Sequence, residues 1–91
     1  MIVCTMILQF ELYDVHSLKG RRSILNSLKE RLKSLNLSVL DVSTEYPKEA
    51  TLAIAFLAAN SALAGQYRQR IEEVVVTKFP QYPCEIEYEE M

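Results

Sequence analysis

The chain is short of the residues that usually carry chemistry. It has one histidine, His16, and two cysteines, Cys4 and Cys84, among 91 residues. Two cysteines do not make a disulfide framework of the kind that staples small secreted domains. Basic charge is missing from the start of the chain: the first lysine or arginine is Lys19. Met1–Leu8 therefore lacks the basic flank of a secretory signal and is too short to span a bilayer, so a soluble cytoplasmic protein with no membrane partner is expected. Glycine and proline are sparse, at two and three residues, while apolar residues make up 49% and charged residues 24%. That balance excludes a disordered chain. There is no internal repeat, linker or low-complexity segment, and the length leaves no room for a second core. Residues 1–91 are read as a single domain.

What is present is regular. Residues 1–12 alternate, with Ile2, Cys4, Met6, Leu8, Phe10 and Leu12 on one side and Val3, Thr5, Ile7, Gln9 and Glu11 on the other. Period-2 alternation of this length predicts a strand. Ser17 is placed to cap a helix running to Leu35. On a 100° wheel Leu18, Ile24, Leu25, Leu28, Leu32 and Leu35 fall within an arc of about 120°, and Asn36 suits the left-handed end of that helix. Residues 37–45 read as a second strand and 46–49 as a turn around Pro47. The short apolar run 50–59 reads as a buried strand. Asn60 caps a second helix that reaches Lys78, with Leu63, Tyr67, Ile71, Val74 and Val75 at core spacing. A last strand, 84–89, sets Cys84, Ile86 and Tyr88 inward and three glutamates outward.

The order β-α-β-β-α-β, with right-handed crossovers, predicts a ferredoxin-like α+β plait. Its antiparallel sheet has strand order 4-1-3-2 and both helices on one face. The other face is left open and shows Val3, Thr5, Ile7, Ala53, Ala55 and Leu57, bordered by Glu85, Glu87 and Glu89. An apolar face of this kind points to a protein partner or a second copy of the chain, with Val3, Ile7, Ala55 and Leu57 as its contact residues.

The plait also bears on chemistry. Cys4 and Cys84 lie some 20 Å apart on antiparallel strands at ~3.3 Å per residue, so neither a disulfide nor a metal site is expected. His16 next to Ser17, with Asp14 nearby, is not the spatial arrangement of a catalytic triad. RNA-recognition motifs share the topology but stack bases on sheet aromatics, which this face lacks. Acylphosphatases need an arginine-bearing loop after the first strand, and YDVHS has neither arginine nor glycine. No enzyme activity and no cofactor are expected.

The first helix gathers the charge instead. Six of the ten basic residues lie between Ser17 and Leu35 against one acid, Glu30, in a chain whose net charge is -2. Lys19, Arg22, Lys29 and Lys33 form one flank, with Arg21 and Arg31 nearby. A solvated helix surface is the plain reading. An anionic partner such as RNA is the functional one, with Lys19, Arg21, Arg22, Lys29 and Lys33 as candidate contacts.

The opening MIV strand, the ELY-x-x-HSLK junction, the basic leucine helix and the ATL-x-I strand together resemble the YlxP-like family of small bacterial proteins of unknown function. The resemblance spans essentially the whole chain and is strongest over residues 1–32. It implies a ferredoxin-like domain, a homodimer and no established catalytic residues. The family is often encoded beside translation and ribosome-maturation factors, which points towards RNA or the ribosome. Gly20 stands where the family more often has an acid, and Cys4 where glycine is common; the first difference leaves the helix start more positive.

Overall fold

Alternation in the first strand decides the layering of the molecule. In the computed structural model, which describes all 91 residues, β1 (Ile2–Glu11) turns Cys4, Met6, Leu8 and Phe10 into the core, each with 2% or less of its surface accessible. Burying side chains of this size contributes about 1.5–3 kcal/mol each. The elements that follow are α1 (Leu18–Lys33), β2 (Ser38–Asp41), β3 (Glu49–Ala58), α2 (Ser61–Lys78) and β4 (Cys84–Glu90). The strands form one antiparallel sheet in the order β2-β3-β1-β4. This is the expected 4-1-3-2 plait, with β1 and β3 central.

Helix α1 begins where Ser17, in an extended conformation, accepts a hydrogen bond from the Gly20 amide at 3.0 Å. Leu25, Leu28 and Leu32 are its buried residues, while Ile24 and Leu35 pack at the margin of the core. Leu18, expected in the apolar arc, is exposed, and Val15 from the preceding loop is buried. The amides of Leu35 and Asn36 close the last turn on Leu32 and Lys33. Asn36 then reverses the chain at φ 63°, the one positive φ in the molecule and a conformation that asparagine tolerates.

Helix α2 is capped as expected, Asn60 Oδ1 accepting from the Leu63 amide at 3.0 Å. Its buried line is Ala64, Ile71 and Val75 rather than one starting at Leu63, which is exposed. Ala64 shares the helical phase of Ile71 and Val75, whereas Leu63 lies about 80° away from Ile71 around the helix.

The second strand is shorter than residues 37–45. Regular pairing ends at Asp41, because side chains take over the hydrogen bonds: Asp41 Oδ1 accepts from the Ser43 amide and Ser43 Oγ accepts from the Thr51 amide, both at 2.9 Å. At the far end of the core, Phe10, Phe79, Tyr82 and Tyr13 pack edge to face in sequence, with ring centroids 5.6–5.9 Å apart. This cluster ties the α2–β4 connection to the end of β1.

Candidate functional site

The two helices cover one side of the sheet, and the residues of the opposite side line up in rows across it. The pairing register sets Leu40, Ala53, Ile7 and Glu87 side by side from β2 to β4. The neighbouring row is Ser38, Ala55, Thr5 and Glu89, and beyond it Leu57 lies beside Val3. Each of the two full rows ends on a carboxylate, so the face is apolar over β2, β3 and β1 and acidic along β4. Val3 and Ile7 are half-buried in the single chain, whereas Ala55 is exposed and Leu57 is 60% exposed.

The register also adds two residues that the sequence pattern does not assign to this surface. Leu40 is 64% exposed and Val42 46%. Leu40 stands opposite Ala53, and the Val42 amide bonds to the Thr51 carbonyl at 2.9 Å, which keeps both side chains on the Ile7 side. The signal lies in the β2–β3 pairing, once β3 is known to start at Glu49. Between the larger side chains, the alanines leave a shallow depression of about 310 Å³ lined by Thr5, Ile7, Ser38, Leu40, Ala53 and Ala55.

The cationic flank of α1 lies in the other layer. Lys19, Arg22 and Lys33 are exposed; Lys29 is half-buried. Asp41, at the end of β2, interacts electrostatically with both Arg21 and Lys29. Burial pushes its carboxyl pKa up, but the Ser43 hydroxyl and amide, helped by those two cations, outweigh burial and hold it below its usual value. The flank is free of acid along the helix, yet the fold brings one beside it.

Arg21 departs from the flank altogether. Its Nη1 donates to the carbonyls of Thr44, Tyr46 and Glu49 at 2.7, 2.9 and 3.2 Å. One guanidinium thus closes the loop between β2 and β3. The position is legible in hindsight: Arg21, Leu25, Leu28 and Leu32 are spaced i, i+4, i+7, i+11, so Arg21 belongs to the leucine line.

The neighbours of the single histidine hold structural hydrogen bonds. Asp14 Oδ1 accepts from the Tyr82 hydroxyl at 2.7 Å and Ser17 Oγ serves as the helix cap, while His16 is exposed between them. Cys4 is buried, and Cys84 lies six ladder positions away, opposite Phe10. Burial pushes the Cys84 thiol up to about 11, so thiolate is scarce near neutral pH. Tyr88, whose hydroxyl lies 3.7 Å from Cys4 Sγ, is pushed up to about 12, chiefly by burial. No three His, Cys, Asp or Glu side chains are grouped so as to hold a metal ion, and no helix is long and apolar enough to cross a membrane.

Residues 3–87 match a family described as a protein of unknown function, DUF503. The chain belongs to the DUF503 family. No curated protein matches it in sequence. Among solved structures, a protein of unknown function from Nitrosomonas europaea, NE2512, is similar at 15% identity and a TM-score of 0.65, over 100% of this chain and 90% of that one. The de novo designed protein Ferredog-Diesel is 15% identical with a TM-score of 0.63, over 96% and 83% of the two chains. The designed protein LFR1 1, described as having a ferredoxin fold, is 13% identical with a TM-score of 0.58, over 99% and 85%. At these identities the likeness concerns the fold alone.

Proposed function

We propose that this DUF503 protein is a non-catalytic interaction module whose open sheet face is covered by a second copy of the chain. The observation that carries this reading is the face itself: Ile7, Leu40, Val42 and Leu57 lie on one side of one sheet with nothing from the same chain above them. Large side chains gathered on one exposed surface mark an interface more often than a free surface. The homodimer implied by the YlxP-like resemblance agrees with it. Replacing Ile7 by aspartate puts a charge at the centre of the face without disturbing the core beneath. The wild-type chain should elute from a sizing column as a dimer and Ile7→Asp as a folded monomer; equal elution of the two would count against the reading.

A second reading concerns the opposite layer. Lys19, Arg22 and Lys33 are exposed along one side of α1, with Lys29 between them, and this supports contact with an anionic partner, RNA or a ribosomal surface in the cytoplasm. The glutamates of β4 keep phosphate away from the sheet, so nucleic acid would meet the helix layer. The two readings are compatible, because a dimer closed through its sheets carries an α1 flank on each outer surface.

A further inference from the structure

The side-chain sizes along each row specify how two copies would stack, given the interface reading above. We infer that the two-fold axis runs parallel to the strands, between β1 and β3, so that β3 of each copy lies over β1 of the other and β4 over β2. The row Leu40, Ala53, Ile7, Glu87 reads large, small, large, charged. Turned about that axis, it opposes itself with Ile7 over Ala53 and Leu40 over Glu87, each pair occurring twice. The next row does the same, with Thr5 over Ala55 and Ser38 against Glu89. Ile7 then meets the alanine depression of the other copy, and in the row beyond Leu57 stacks on Val3. An isologous contact requires this kind of self-complementarity.

Two other arrangements fail on the same rows. An axis perpendicular to the strands lays β4 over β4 and brings Glu85, Glu87 and Glu89 against their own copies, and like charges in a contact are costly. An axis along β3 sets Ala53 over Ala53 and leaves the two depressions facing each other as a void, which forfeits the dispersion attraction a filled interface would have. The inferred stacking instead sends the stem of Glu87 across Leu40 of the other copy. Its carboxylate then lies at the exposed β2 edge, where water reaches it. Contact between sheets about 10 Å apart is the ordinary spacing of a β-sandwich.

The positions at the rim give a clean test. Leu40 and Glu87 lie on the two edge strands, three spacings or about 14 Å apart within one chain, too far for an intrachain disulfide. In a Cys4→Ala, Cys84→Ala background, the double variant Leu40→Cys, Glu87→Cys is treated with 1,2-ethanediyl bismethanethiosulfonate and run on a non-reducing gel. The two-carbon bridge of this reagent spans facing side chains of sheets about 10 Å apart that a direct disulfide would not reach. The inferred stacking predicts a covalent dimer from the double variant and none from Leu40→Cys alone. Crosslinking of Leu40→Cys alone would place β2 over β2 and overturn it. So would a Leu40→Cys, Ile7→Cys variant that crosslinks in preference to the first pair, since that places the axis on β3. A wild-type chain that sediments as a monomer would instead remove the interface reading itself.

Discussion

Arg21 shows what a single residue does when a charge is drawn into the framework. Three carbonyls converge on one guanidinium nitrogen, and hydrogen bonds to a charged group contribute about 1.5–3 kcal/mol, less where solvent reaches them. Arg21→Ala should lower unfolding stability by about 1–3 kcal/mol in a urea titration. Arg21→Lys should recover part of it, because all three bonds use one nitrogen and an ammonium also offers three donors from one point, though on a shorter stem. A wild-type midpoint in Arg21→Ala would contradict this role. The titrating groups give a second prediction. Tyr82 is held above its usual value, first by its hydrogen bond to Asp14 and then by burial, while Cys84 and Tyr88 are pushed up to about 11 and about 12. A group whose folded pKa is raised keeps its proton longer in the native state, so its contribution is complete below the unfolded value and is lost above it. Stability should therefore decline as pH rises from about 9 towards 12, beginning with Cys84. Cys84→Ala should flatten the first part of that decline in thermal melts followed by circular dichroism.

The elements were the most legible part of the chain, because periodicity and caps are local. Ser17 and Asn60 cap the two helices as read, and the alternation of β1 and β4 is the alternation of their accessible surfaces. What sequence did not yield depended on packing between elements. Ala64, in phase with Ile71 and Val75, is the buried residue where the larger Leu63 is exposed. After a last backbone bond from the Val42 amide to the Thr51 carbonyl, residues 43–45 leave the ladder because Asp41 and Ser43 supply side-chain partners. Arg21 groups with the flank by charge, its more conspicuous property, while its wheel position sets it on the leucine line. The flank itself carries a prediction at this scale. If Lys19, Arg22, Lys29 and Lys33 each neutralise a phosphate of single-stranded RNA, log K should fall with log[salt] at a slope near roughly -3. Salt-independent binding, or binding that survives changing all four to glutamate, would remove α1 from the account. A core substitution gives the contrast: Leu28→Ala should destabilise by about 2–5 kcal/mol, through lost burial and the cavity left behind, with no change in the salt slope of the folded fraction.

At the scale of the whole molecule, the plait divides its surface by sign. The helix layer carries the cationic flank of α1, and the uncovered sheet carries apolar rows that end in the glutamates of β4. The topology was readable from the order of elements, and so was the existence of an open face. Its full composition was not, since Leu40 and Val42 join it only through the β2–β3 register. The central claim is that this face is covered in solution, and the most direct measurement follows its methyl groups. A soluble paramagnetic agent broadens the methyl signals it can approach, and Val76, 67% exposed on α2, provides the exposed reference while fully buried Leu28 provides the covered one. The account predicts that Ile7, Ala53 and Leu57 are shielded towards the level of Leu28 in the wild-type protein and become exposed in Ile7→Asp, read there at Ala53 and Leu57. Relaxation of the wild-type Leu57 methyls as fast as those of Val76 would contradict it.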